Sequence, residues 1–199
     1  MIVYRKIFII LFILIAPIVS SAQIVKLPSY TLETGGSVST GQQSPFWFVS
    51  NQFGRQSVKR TSGFLSAQIE ASEDSSKNFD YTYGLELFDR YDGDNQFRLH
   101  QAYFKARFHF LYLRIGKSEE TYGNQDSILS SGSALWSENS RPMPKIVLGT
   151  NGYVNVPFTK GYIQFNGLLS HGWFGNDGYV KDVYLHHKYL YVKLGGKFP

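Results

Sequence analysis

The stretch Phe79-Asp80-Tyr81-Thr82-Tyr83-Gly84-Leu85-Glu86-Leu87-Phe88-Asp89-Arg90-Tyr91-Asp92 decides the fold. Phe79, Tyr81, Tyr83, Leu85 and Leu87 share one parity. Asp80, Thr82, Gly84, Glu86 and Arg90 share the other, and Phe88 is the exception among them. Side chains of an extended strand alternate between two faces, so a period of two marks a half-buried strand and not a helix. The pattern recurs along the chain. From Ser29 to Thr40, Tyr30, Leu32 and Val38 alternate with Thr31, Glu33, Ser37 and Ser39. Leu65, Ala67 and Ile69 alternate with Ser66, Gln68 and Glu70. Leu111, Leu113 and Ile115 alternate with Tyr112 and Arg114. Ile163, Phe165 and Leu169 alternate with Gln164, Asn166 and Ser170. Several of these runs exceed the roughly five or six residues usual in soluble sheets. They suit a tilted sheet that crosses a bilayer, which needs about nine to eleven residues per strand.

Turn residues punctuate the strands. Asp92-Gly93-Asp94-Asn95 joins the Phe79 strand to the Phe97 strand, and a hairpin turn explains it better than a calcium loop does. Asn151-Gly152 and Asn176-Asp177-Gly178 mark further turns. Two segments do not read as strands: residues 44–56, with Pro45-Phe46-Trp47-Phe48, and the long polar stretch 118–144, with Trp136 and Pro142-Met143-Pro144. Within the latter, Glu119-Glu120 reads as solvated loop. Loops of such length are usually functional or fold back over the sheet. Leu99-His100-Gln101-Ala102-Tyr103 echoes Leu185-His186-His187-Lys188-Tyr189, and Leu111 to Gly116 echoes Leu190 to Gly195, which suggests repeated hairpin units. The expected fold is all-β: an antiparallel meander of eight or nine long amphipathic strands. A β-sandwich and a secreted jelly roll are the soluble alternatives.

Composition agrees with a β-protein that meets a membrane or binds sugars. Aromatic residues make up 17% of the 199, charged residues only 18%, against about 25% in ordinary soluble domains. The absence of cysteine excludes disulfides, thiol nucleophiles, Cys-based zinc sites and a lipoprotein anchor. Residues 1–22 read as a signal peptide: Arg5 and Lys6, the apolar run Ile7 to Ile15, then Ser20-Ser21-Ala22 with small residues before a cleavage point. The expected mature chain, 23–199, loses two positive charges from a formal total of +5, which leaves too little bias for a nucleic-acid partner. With no long apolar helix, membrane insertion would require a β-barrel.

Three motifs carry a family resemblance: Pro45-Phe46-Trp47-Phe48-Val49-Ser50-Asn51-Gln52-Phe53-Gly54, the stretch from Gly132 to Lys145 with Trp136-Ser137-Glu138-Asn139-Ser140-Arg141-Pro142-Met143-Pro144, and Leu185-His186-His187-Lys188-Tyr189-Leu190-Tyr191. Together they resemble the capsule assembly protein Wzi family, and the likeness spans most of residues 23–199. The resemblance implies an outer-membrane β-barrel of about eighteen strands. It also implies a non-enzymatic role in binding capsular polysaccharide and attaching it to the cell surface, without a cofactor. A barrel of that size needs roughly twice the strands counted here, and the Gly195-Gly196-Lys197-Phe198-Pro199 ending lacks a terminal aromatic. The chain therefore reads as the N-terminal half of such a barrel, unclosed, with the C-terminal half and outer-membrane lipid as partners. The alternatives are a small closed eight-stranded barrel serving as channel or adhesion protein, and a membrane-embedded hydrolase or acyltransferase.

Aromatic faces stack on sugar C–H surfaces, while Arg and Asn donate to hydroxyls and carboxylates. On this chemistry the candidate polysaccharide-binding residues are Trp136, Glu138, Asn139 and Arg141 in the long loop, with His171 and Trp173 near a strand end. Plainer roles compete. Trp136 and Arg141 could plug the lumen, Trp173 and Tyr179 could belong to an interfacial aromatic girdle, and Glu86, Arg90 and Arg114 could form ion pairs. Ser170 and His171 point to opposite faces and so cannot pair, and no G-x-S-x-G elbow is present. His186 and His187 diverge likewise, so neither a triad nor a metal site is expected.

Overall fold

A computed structural model describes residues 26–123, 133, 136–175 and 181–195. The expected signal peptide, the Asn176-Asp177-Gly178 turn and Tyr179 lie outside the described residues. Nine strands form one antiparallel sheet: β1 (Ser29–Gln43), β2 (Lys59–Ala71), β3 (Phe79–Tyr91), β4 (Arg98–Phe108), β5 (Leu111–Lys117), β6 (Lys145–Thr150), β7 (Val154–Asn155), β8 (Ile163–Trp173) and β9 (Tyr184–Leu194). Each strand pairs with its predecessor, except that β6 and the two-residue β7 share one edge of β8. The Asn151-Gly152 turn separates those two, with Gly152 at φ 83°. The path β1-β2-β3-β4-β5-β6-β8-β9 is thus a meander, and its end strands do not pair with each other. That excludes the small closed barrel. The described residues form a single sheet with no second sheet behind it, which excludes the sandwich and jelly roll.

The alternation read in the sequence holds through β3. Leu85 and Leu87 are 44% and 42% exposed, while Glu86 between them is fully buried. Leu111, Leu113 and Ile163 share the open face with them, and Arg114 projects to the other. The result is an inverted sheet. The covered face is polar, with Ser66, Asp80, Thr82, Glu86, Arg90, His100 and Arg107 all buried, and among the described residues the buried apolar set is only Ala71, Phe88, Tyr122, Val147 and Leu168. The open face carries Leu, Ile and Val in its middle. Exposed aromatics stand toward its two ends: Tyr91, Phe97, Trp173 and Tyr184 at one, Phe79, Phe108, Phe110 and Tyr162 at the other. Phe88, the exception to the polar parity, is fully buried on the polar face, stacked on Phe64 with its ring centroid 5.5 Å away.

Glycines on the polar face let aromatic rings lie flat across the strands. Gly84 faces the Tyr103 ring across β3 and β4, and Gly149 faces Tyr112, so a Cβ at Gly84 would run into the ring. Gly116 is more constrained. Its φ is 114°, and a Cβ there would meet the Ala102 carbonyl.

Because the strands alternate in direction, the connections 44–58, 92–97, 118–144 and 174–183 leave one end of the sheet. Connections 72–78, 109–110 and 156–162 leave the other. The echo does not mark repeated hairpins. Leu99–Tyr103 and Leu111–Gly116 occupy two strands, β4 and β5, whereas Leu185–Tyr189 and Leu190–Gly195 run on along β9. No turn residue separates Tyr189 from Leu190, so the alternation continues through that point.

Candidate functional site

Residues 44–58 and the described parts of 118–144, which the sequence marked separately, meet over the polar face at the long-loop end. Residues 44–58 begin with Pro45 and one helical turn, α1 (Phe46–Val49). The chain then turns through Asn51, Phe53 and Gly54, with φ of 58°, 50° and 70°. Asn tolerates this region and Gly favours it, but Phe does not. Contacts from the second connection offset the strain. The Phe53 N–H donates to the Glu138 carbonyl at 2.6 Å, and the Asn51 N–H donates to Asn139 Oδ1 at 2.7 Å. Gly54 packs against the Arg141 side chain, where a Cβ would lie 2.9 Å from Cγ. Glu138, Asn139 and Arg141 therefore meet the Pro45–Gly54 motif in space.

Beneath them Arg55 anchors the loop to the sheet. Its Nη1 and Nη2 donate to the two Glu86 oxygens at 2.6 and 2.9 Å, and its Nε donates to Glu119 at 2.8 Å. Ser66 and Gln101 also donate to Glu86, at 2.7 and 2.8 Å, and His100 Nε2 lies 2.8 Å from Glu119. The partners come from β2, β3, β4 and both loops. A β-bulge aims two of them. The β3–β4 register shifts between Glu86–Gln101 and Leu87–Leu99, leaving His100 as the extra residue, so that His100 and Gln101 both turn inward. Glu86, His100 and Glu119 lie close enough to suggest a metal cluster. However, the Arg55 guanidinium binds both carboxylates, so the cation in this cluster is an arginine.

A second group surrounds Trp136. Its ring stacks on His187 with centroids 5.5 Å apart and meets Tyr122 edge-on at 4.9 Å, while Lys145 Nζ stands 4.3 Å from its centroid. Lys145, Arg114 and the Tyr122 hydroxyl all converge on Glu120, a buried carboxylate. Trp136 is thus half-buried in a cluster, with its ring stacked on His187 and Lys145 held against it. Glu119 and Glu120 are not solvated loop as the sequence suggested. They hold the inward Arg55, Arg114 and Lys145, which a single sequence does not link to them. His171 and Trp173 stand apart from all of this on the open face. There His171 packs on Trp173, Tyr184 and His186, with centroids 4.6, 5.6 and 4.5 Å away. Arg55, Arg98, His100, Gln101 and Tyr122 were not marked as site residues by the sequence, although His100 and Gln101 stood in the Leu99–Tyr103 echo. The slip of polar parity from Arg98 and His100 to Gln101, Tyr103, Lys105 and Arg107 was the readable sign of the bulge.

The 92–97 turn clasps the same assembly. Ser57 Oγ donates to Asp92 at 2.6 Å, and Lys59 and Arg90 lie 3.2 and 3.3 Å from its carboxylate. The Ser57 hydrogen bond outweighs the effect of burial, and with the two cations it holds the Asp92 carboxyl below its ordinary 3.8. A depressed carboxyl contributes stability above its unfolded value and loses it as pH falls through the folded one. The expected result is that Asp92→Asn is less stable than the parent at pH 7, with the gap closing as pH drops below about 4. Urea midpoints measured across that range check this, and a gap that stays constant into acid contradicts it. No family model, no curated protein and no solved structure matches the chain.

Proposed function

We propose that this chain is a non-catalytic outer-membrane protein of capsule assembly, whose sheet sits in the lipid and whose long-loop end holds polysaccharide at the cell surface. The observation that carries the reading is the inverted sheet: apolar side chains exposed on one face, aromatic residues toward both of its ends, and polar and ionic groups buried on the other. Soluble sheets bury the opposite face. In lipid the Leu, Ile and Val side chains of the open face meet acyl chains, although Asp89 and Lys188 also stand on that face, and strands of 11 to 15 residues such as β1, β3, β4, β8 and β9 are long enough to cross. The two longest connections, 44–58 and 118–144, leave the same end, as surface loops opposite periplasmic turns would. The unpaired edges of β1 and β9 would be costly in lipid, so further strands, corresponding to the C-terminal half of a Wzi-like barrel, complete the wall. Ser170 and His171 lie on opposite faces of β8, so this pair does not form a nucleophile and base.

The test is polysaccharide retention. Cells without the chain should shed polysaccharide into the medium while total synthesis stays constant, and unchanged retention contradicts the reading. Two substitutions divide the loop. Trp136 is packed, so Trp136→Ala should lower the amount of folded protein and retention in step, by about 3–5 kcal/mol of stability. Arg141 is exposed, so Arg141→Ala should lower retention alone. Heat-modifiable gel mobility separates the two outcomes.

A further inference from the structure

Three arginines converge where the two loops meet, with few carboxylates to balance them. Arg98 Nη2 and Arg90 Nη1 both donate to the Gly54 carbonyl, at 2.8 and 3.3 Å. Arg90 Nη2 and Arg141 Nη2 both donate to Gln96 Oε1, at 2.7 and 3.4 Å. Asp92 lies against Arg90. Among the described residues neither Arg98 nor Arg141 has an ion-pair partner, and Arg98 Nη1 is buried without a hydrogen bond. The acceptors shared by these guanidinium groups are thus mostly neutral oxygens, which satisfy hydrogen bonds, while of the three arginines Asp92 pairs with Arg90 alone. Three other arginines are neutralised directly: Arg55 by Glu86 and Glu119, Arg107 by Glu73, Arg114 by Glu120.

Arg90 and Arg141 also line a cavity of about 900 Å³ that opens at the long-loop end. Its wall adds Ser44, Ser50, Gln56 and Asn139, with Phe46 as an apolar patch. Hydroxyls, amides and one aromatic face suit the rim of a sugar ring, and paired guanidinium donors suit a carboxylate. We propose that this cavity is a subsite for an acidic sugar, with the uronate carboxylate on Arg141 and with Arg90 and Arg98, whose donors are held by the Gly54 turn and Gln96, supplying further positive potential. The inference rests on the polysaccharide-binding reading and adds to it the charge of the ligand and the residues that select for it.

The test uses the purified full chain in detergent micelles and three probes: a fluorescent tetragalacturonate, its carboxyl-reduced neutral counterpart, and inorganic phosphate. The tetragalacturonate should bind, weaken as salt is raised, and lose about tenfold or more in affinity in Arg141→Gln. Arg141→Lys should fall between, since it keeps charge but loses the bidentate fork. Circular dichroism confirms that each variant keeps the parent's strand content. Equal binding of the acidic and neutral sugars, or no effect of Arg141→Gln, overturns the acidic subsite and leaves the polysaccharide reading standing. Binding of phosphate without the tetragalacturonate overturns the subsite as a sugar site. Binding of none of the three overturns the subsite and weighs against the broader reading as well.

Discussion

Replacing Glu86 with alanine should destabilise the folded chain by about 3–5 kcal/mol, the cost of stranding a buried partner charge. Glu86 is fully buried and holds four donors: two from Arg55, one each from Ser66 and Gln101. Without it the Arg55 guanidinium keeps only Glu119, and the 44–58 loop loses its strongest tie to the sheet. The double variant Glu86→Ala, Arg55→Ala should be destabilised by clearly less than the sum of the single changes, because it removes both members of the pair. Urea titration of tryptophan fluorescence supplies the numbers. A Glu86→Ala loss under about 1 kcal/mol, the range of exposed ion pairs, contradicts the account.

The second large effect lies one residue away, on the other face. Leu87→Arg places a charge near the middle of β3, among the open-face side chains Leu65, Leu85 and Ile69. If that face meets lipid, the change costs about 2–4 kcal/mol. Gln164→Arg, on the polar face of β8, should be milder. The comparison is made by the folded fraction in lipid vesicles against denaturant. Equal tolerance of the two substitutions would count against lipid contact, since arginine on a water-facing surface is nearly neutral.

Glu86 and Leu87 also show what a single sequence can disclose. Their opposite faces follow from a period of two, because one residue of slip would turn every side chain of β3 over. Faces, strand order and the polar-in, apolar-out arrangement were legible for that reason. The bulge at His100 was harder to see, since it shows only as a change of parity between Arg98 and Gln101. That Glu86 and Arg114 take part in ion pairs was legible, but the tie of Glu86 to Arg55 and that of Lys145 to Glu120 were not. They join residues far apart in the chain, across loops whose course has no periodicity. The likeness of Leu111–Gly116 to Leu190–Gly195 misled for a related reason: similar alternation arises wherever a strand lines the same kind of face, whether or not a turn precedes it. Of the candidate sugar contacts, Glu138, Asn139 and Arg141 come together because hydrogen bonds from Asn51 and Phe53 hold their loop, while His171 and Trp173 stand on the other side of the sheet.

The central claim is that the open apolar face lies in lipid. The chain has no cysteine, so each cysteine introduced from Phe79 to Tyr91 is a unique probe. Labelled with an environment-sensitive fluorophore in outer-membrane preparations, positions 79, 81, 83, 85 and 87 should be quenched by a lipid-soluble quencher. Positions 80, 82, 84, 86, 88 and 90 should be shielded from it. A period of two in that quenching, in phase with Leu85 and Leu87, is the predicted result. Ready quenching of 79, 81, 83, 85 and 87 by a water-soluble agent, with none by the lipid-soluble one, would contradict it.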